Sequence, residues 1–243
     1  MKGTTPAGTV SQQEASRWVR EMFGRIAPRY DLANHVLSLN LDRRWRGTAV
    51  KRVEHILRRP GARVLDLCCG TGDLLMGLRS KSSAFVMGSD FSHPMLTAAN
   101  EKIARRGFRC PLFEADALTL PLADDMLDLI TIAFGFRNLV DYQAGLGEMY
   151  RVLKPSGMAA ILEFSQPGDT LFGTLYGFYS RRVLPVIGGA LSGSRDAYAY
   201  LPESIGKFPS AGDLADHMRN AGFQAVEFIR LTGGSVALHL GTK

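Results

Sequence analysis

Beyond residue 60 the chain alternates short, near-continuous apolar runs with helix-patterned stretches, and that alternation leaves few folds open. A strand with one wet face shows apolar and polar residues in turn. Runs such as Leu129-Ile130-Thr131-Ile132-Ala133 and Ala159-Ala160-Ile161-Leu162 do not, which suits a parallel sheet covered on both faces. The pattern predicts strands over Arg63–Cys69, Phe85–Asp90, Pro111–Ala115, Leu127–Phe134 and Ala159–Phe164. Helices over Asp73–Ser80, Met95–Arg106 and Tyr142–Leu153 fall between them, and Pro155-Ser156-Gly157 reads as the turn before the last strand. A helix over Ala211–Ala221, capped by Ser210 and stopped by Gly222, precedes two more strands, Ala225–Leu231 and Ser235–Leu240. The class is α/β, doubly wound and Rossmann-like. No internal repeat or low-complexity tract interrupts it.

The first 60 residues read differently. Ser11 with Glu14 three positions on forms a capping box for a helix over Ser11–Phe23, residues 31–58 hold two further helical patterns with Asp42 as cap of the second, and Pro60-Gly61 ends the stretch. We therefore divide the chain into an N-terminal helical extension, residues 1–60, and an α/β domain, residues 61–243. Net charge is +6, but through Arg63 there are 13 Lys and Arg against 5 Asp and Glu, so the basic surface belongs to the extension. It fits either an anionic partner, such as a phospholipid surface or nucleic acid, or solvated helix faces. The three cysteines, Cys68, Cys69 and Cys110, suit no disulfide framework, and no Cys or His cluster has zinc-ligand spacing, so no metal is expected. The first residues lack the apolar core of a signal peptide and no uncharged run reaches a membrane span, so a cytoplasmic location is expected.

Ligands of such a sheet bind beyond the carboxyl ends of the strands. The first strand ends Asp66-Leu67-Cys68-Cys69-Gly70-Thr71-Gly72-Asp73. A dinucleotide would set its pyrophosphate on the next helix N-terminus, where Asp73 stands, and Leu75 replaces the third small residue of the fingerprint. A ligand with an ammonium and a sulfonium welcomes Asp66 and tolerates Asp73, whose main work is to favour the helix dipole. The second strand ends at Asp90, eighteen residues past Gly72, where two carboxylate oxygens match the two hydroxyls of a ribose. The third ends Glu114-Ala115-Asp116-Ala117, where Asp116 can accept from an adenine amino group and the Ala117 amide can donate to the ring. These three strand ends together point to S-adenosylmethionine.

Longer motifs resemble the ubiquinone/menaquinone biosynthesis C-methyltransferase family over nearly the whole chain. They are Tyr30-Asp31-Leu32-Ala33-Asn34 through Leu37-Ser38 to Trp45, and Arg151-Val152-Leu153-Lys154-Pro155 through Gly157 to Glu163-Phe164-Ser165. Phe134 to Asn138, Tyr200 to Ser204 with Phe208-Pro209, and Gly233-Gly234 leading to His239 are similar to the family as well. Ala33, Asp42, Ser156 and Asp116 depart from its usual methionine, histidine, glycine and asparagine, and Ala133 stands where some members carry a cofactor-contacting serine. The resemblance implies a class I S-adenosylmethionine-dependent methyltransferase fold, with Thr71, Asp90, Asp116 and Ala117 as cofactor-binding positions beside Asp66 and Gly70. It also implies an acceptor that is a quinol with a prenyl tail, demethylmenaquinol in preference to the benzoquinol of ubiquinone synthesis.

A sulfonium methyl is already electrophilic, so the protein must activate and align a ring carbon. A cation beside a quinol oxygen favours its ionised, electron-rich form. Arg137 is the candidate for that catalytic part, its alternative being a structural salt bridge with Asp141, and Asn138 and Tyr200 are candidates for the acceptor pocket. Asp31 and His35 read as fold residues. Leu171–Leu191, apolar but broken by Arg181-Arg182 and Pro185, suits an interfacial lid or an ordinary core helix. A prenylated acceptor makes peripheral contact with anionic lipid the preferred use of the basic extension, and a homodimer is compatible with the chain. A methyltransferase for another small apolar acceptor, one acting on nucleic acid and a non-catalytic cofactor-binding protein are the rival readings; no RNA-binding pattern or added binding domain supports nucleic acid as a partner.

Overall fold

In the computed structural model, residues 3–167, 173, 177 and 195–243 are described. The segment Leu171–Leu191 lies, apart from residues 173 and 177, outside them. Helix α1 spans Gln12–Ile26, one turn longer than the pattern predicts. Ser11 Oγ accepts from the Glu14 amide at 3.1 Å, while the Glu14 carboxylate takes the amide of Val10 rather than that of Ser11. After a turn of 3-10 helix over Ala27–Arg29 come α2 (Tyr30–Leu37) and α3 (Leu41–Leu57). Asp42 is not the cap of α3. Asn40, in the left-handed region at φ 59°, occupies that position, and Asp42 sits inside the first turn, taking the Ser38 hydroxyl at 2.7 Å and Arg46 at 2.5 Å.

The remaining elements are β1 (Arg63–Leu67), α4 (Asp73–Ser80), β2 (Phe85–Asp90), α5 (His93–Arg105), β3 (Leu112–Glu114), β4 (Leu127–Ala133) and α6 (Tyr142–Val152). They continue with β5 (Leu153–Phe164), α7 (Arg195–Lys207), α8 (Ala211–Asn220), β6 (Gln224–Leu231) and β7 (Val236–Thr242). The seven strands form one sheet in the order β3-β2-β1-β4-β5-β7-β6, with β7 antiparallel to both of its neighbours and the first five parallel. The turn expected at Pro155–Gly157 is instead absorbed into β5, which starts at Leu153 and carries Ser156 at φ 65°. Helix α5 starts two residues early because Pro94, with its fixed φ and no amide to satisfy, suits the first turn.

Alternate residues of the central strands enter separate apolar cores, as burial on both faces requires. Val64, Leu129, Ala160 and Leu162 join one with α3 and α4; Leu65, Leu67, Ile130, Ile132, Ala159 and Ile161 join the other with α6 and α8. A third cluster joins Val19, Met22 and Ile26 of α1, Leu37 of α2, Met95 of α5 and Tyr200 of α7. It fastens α1 and α2 over the carboxyl ends of the strands. Among the described residues no helix is long and apolar enough to cross a membrane.

Candidate active site

Strand order reverses between β1 and β4, because the chain runs outward from β1 through β2 to β3 and then returns to β4. A crevice opens at such a point. Its floor is the turn after β1, where Cys68 at φ 51° and Gly70 at φ 54° both take left-handed conformations, one accessible to glycine at little cost and the other strained. The turn after β4 crosses it so closely that a Cβ on Gly135 would lie 2.5 Å from the Cβ of Cys68. Two strand ends can touch there only with glycine on one side.

Asp90, 6% exposed, locks the floor to β2: Oδ2 accepts from the Gly70 amide and Oδ1 from the Ser92 amide, both at 2.9 Å. Burial pushes its carboxyl up to about 6, although three amides, those of Ser92, Gly70 and Phe91, pull the other way. Asp66 is 1% exposed. Burial pushes it further, to about 7, against a 2.8 Å bond from the Thr131 hydroxyl. A carboxyl so placed ionises when a cation arrives, since charge beside it repays the lost hydration. Thr71 is buried, and its hydroxyl reaches Asp31 Oδ1 at 2.5 Å. Lys102 joins Asp31 and Asp73, each at 2.6 Å, so Asp31 ties α2 to the glycine turn and α5. His35 lies between Asp42 and Asp73 in the same network.

Three adjoining cavities fill the space above. One of about 670 Å³ is lined by Gly70, Asp90, Asp116, Ala117 and Asn138 and roofed by Ser16 and Phe23 of α1. A smaller one, about 320 Å³, holds Asp66, Gly70, Thr71 and Arg46. The third, about 870 Å³, is walled by Met22, Ile26, Leu37, Trp45, Phe134 and Phe164 and contains Arg137 and Tyr200. Tyr30 borders all three. Asp116 is exposed, and its Oδ1 takes the Leu118 amide at 2.9 Å, which shapes the turn carrying the buried Ala117.

Arg137 is 5% exposed, and its partner corrects the sequence-based alternative. It pairs with Glu163, Nη1 to Oε1 at 2.9 Å, while its backbone amide donates to Oε2 at 3.1 Å. Asp141 instead caps α6, accepting from the Ala144 amide at 3.0 Å. Burial works against the charge on Arg137, but Glu163, Tyr30 and Tyr200 together outweigh it and keep the guanidinium protonated. Phe164 lies under the guanidinium, 5.1 Å from its centre, and the Nε donor, buried beside the apolar cavity, has no partner among the described residues. The Tyr200 hydroxyl donates to Asn138 Oδ1 at 3.0 Å and shares a 2.7 Å bond with Thr4 Oγ1, so the two sequence candidates form one chain of bonds between cavities.

A family model described as the ubiE/COQ5 methyltransferase family matches residues 9–243. The chain belongs to that family. It is 48% identical to a demethylmenaquinone methyltransferase of Thermus thermophilus over 91% of its own length and all of the relative's. To the ubiquinone/menaquinone biosynthesis C-methyltransferase UbiE of Geotalea daltonii it is 44% identical over 95% of this chain and 98% of that one. A crystal structure of a SAM-dependent methyltransferase from Aquifex aeolicus shares the fold, with a TM-score of 0.58 and 21% identity over 80% of this chain and 88% of that one. The protein is thus an S-adenosylmethionine-dependent methyltransferase, and the donor set fits that cofactor: two buried carboxyls whose ionisation a cation favours, beside a glycine turn whose amide is held toward Asp90. Tyr30, Thr131 and Glu163 of this methyltransferase were not singled out from sequence. Tyr30 and Glu163 stand inside motifs quoted for the resemblance, and that was their only signal; Thr131 had none, lying in an apolar strand.

Proposed function

We propose that this methyltransferase places a methyl group on a ring carbon of a prenylated quinol, converting demethylmenaquinol to menaquinol. The observation that carries the reading is the apolar-walled 870 Å³ cavity that holds the buried guanidinium of Arg137, whose Nε donor lacks a partner among the described residues, next to the cleft of Asp66 and Asp90. An aromatic ring with an ionisable oxygen suits such a cavity: apolar walls take the ring and Arg137 takes the oxygen. The names of the relatives support the quinol, and the 48% identity to a demethylmenaquinone enzyme favours the naphthoquinol.

When bound, S-adenosylmethionine supplies a methyl group made electrophilic by its sulfonium. Asp66 takes the ammonium, Asp90 the ribose hydroxyls, Asp116 and Ala117 the adenine, and Gly70 and Thr71 shape the turn between them. Arg137 stabilises the phenolate of the acceptor, which raises electron density at the ring carbon. It remains charged throughout and so serves as no base; the phenol proton leaves to water as the acceptor binds, and the ring proton that the methyl replaces leaves to water, with S-adenosylhomocysteine as the second product. Tyr30, kept protonated because burial raises its hydroxyl, donates to an oxygen rather than taking a proton. Asn138 and Tyr200 hold the far side of the ring, and α1 and α2 exclude water from the cleft; in this sense residues 1–60 act as a functional extension to the domain of residues 61–243. A tailed acceptor also calls for peripheral contact between the basic extension and an anionic membrane face.

The test is transfer of labelled methyl from S-adenosylmethionine to demethylmenaquinol and to the demethylated benzoquinol, with products identified by mass. Product from the naphthoquinol at the higher kcat/KM is expected. Transfer to neither quinol sinks the reading.

A further inference from the structure

Helix α2 presents three faces. A helix turns about 100° per residue, so Asn34, Leu37 and Ser38 share one side, and they line the apolar acceptor cavity. Asp31 and His35 lie on the next side and line a broad groove of about 1790 Å³. Leu32 and Val36, spaced i and i+4, make the third, and Leu39 follows them in the turn just beyond the helix; all three face outward, 59%, 42% and 79% exposed. Solvent-exposed apolar side chains singly mean little, but three together on the outer face of a helix and the turn at its end are half of a membrane-surface element. The turn that carries the stripe to its tip holds Leu39 in the left-handed region at φ 51°, which a leucine rarely adopts, before Asn40 at φ 59°, a residue that tolerates it. Strain retained to keep a leucine in water points to a partner for that leucine.

The groove beside the stripe supplies the other half. Arg43, Lys51, Lys81 and Arg106 line it, and none has a carboxylate partner among the described residues. Unpaired cations along a groove attract a polyanion. A second copy of the chain is the less favourable occupant, because a two-fold interface sets each patch against itself and brings these cations toward their own images.

We propose that Leu32, Val36 and Leu39 insert into the interface of an anionic phospholipid bilayer while the cations of the adjoining groove engage its phosphates. This rests on the reading of the acceptor as a prenylated quinol. Helix α2 then stands between the lipid on its outer face and the acceptor cavity on its inner one, so a tailed substrate reaches the cavity along the helix without leaving the membrane.

The full-length protein is sedimented with vesicles of phosphatidylcholine, with and without phosphatidylglycerol. The triple variant Leu32→Asn, Val36→Asn, Leu39→Asn is expected to lose about tenfold or more in vesicle affinity, since each side chain forfeits an apolar transfer. Its affinity for S-adenosylmethionine and its turnover of a tail-less quinol in solution stay at the parent level, while turnover of a tailed quinol embedded in vesicles falls. Lys51→Glu with Arg106→Glu weakens binding only to the anionic vesicles and flattens its salt dependence. Undiminished vesicle binding by the triple variant overturns the proposal. So does a parent that ignores vesicles but dimerises through the stripe, its triple variant being a monomer by light scattering. If the parent fails to methylate the tail-less quinol, the acceptor reading fails instead, and sedimentation still decides the docking surface.

Discussion

Arg137 and Glu163 stand 26 positions apart in sequence and meet because β4 and β5 pair, with Ala133 opposite Leu162. Their bond changes what substitutions there should do. Arg137→Ala removes the cation facing the acceptor and is expected to lower turnover on the order of 10²–10³, with cofactor affinity nearly intact. Arg137→Lys keeps the charge but cannot span Glu163, Phe164 and the cavity with a planar fork, so only part of the activity returns. Glu163→Gln keeps one acceptor oxygen, weakens the hold on the guanidinium and should lower kcat more than it raises KM. Asp141→Ala serves as the control: losing a helix cap costs about 1 kcal/mol of stability and leaves turnover unchanged. Turnover, cofactor affinity and melting temperature of the four variants check this, and normal turnover in folded Arg137→Ala would remove the arginine from the chemistry.

At the scale of elements, the site depends on two strand ends pressed together. Gly135→Ala sets a methyl 2.5 Å from the Cβ of Cys68, and overpacking of this kind costs about 1–3 kcal/mol. Because both turns line the cofactor cleft, affinity for S-adenosylmethionine should fall along with the melting temperature. Cys68→Gly removes the opposing Cβ and relieves the φ of 51°, so the double variant is expected to regain both; a double variant no better than Gly135→Ala argues against the contact. Elements built on local signals were legible beforehand. Ser210 caps α8 through the Asp213 amide, and Asp73–Ser80 and Phe85–Asp90 have the predicted ends. Helix α7 was not foreseen: Pro202 lies inside it, and proline is a local stop signal that packing of Ala197 and Tyr200 against α1 overrides.

For the whole molecule, pH reads out how the cleft is built. Asp66 and Asp90 have carboxyls raised to about 7 and about 6, above the unfolded value of about 3.9. In the ligand-free protein these groups therefore favour the fold most below about pH 4, and that contribution is lost as pH rises through about 6 and about 7. The cofactor reverses the balance, since its ammonium favours the Asp66 carboxylate and its ribose hydroxyls, donating to Asp90, favour that one. Affinity for S-adenosylmethionine should rise from pH 5.5 to pH 8, by up to about tenfold per unit for each proton released, and the ligand should raise the melting temperature more at pH 8. Calorimetry in buffers of different ionisation enthalpy counts the protons, and none released would mean that Asp66 does not meet the ammonium and Asp90 does not take the ribose hydroxyls. By itself the sequence determined the layered α/β sheet, the glycine turn, the acids at three strand ends and the excess of cations before residue 64, because each depends on residue type at fixed spacing along the chain. Tertiary structure alone decided that Glu163 holds Arg137, that Asp31 bridges α2 to the glycine turn, that Tyr30 borders all three cavities and that Leu32, Val36 and Leu39 are left in water. Those are contacts, or missing contacts, between segments far apart in the chain, and they exist only once strand order and helix packing have brought the segments together.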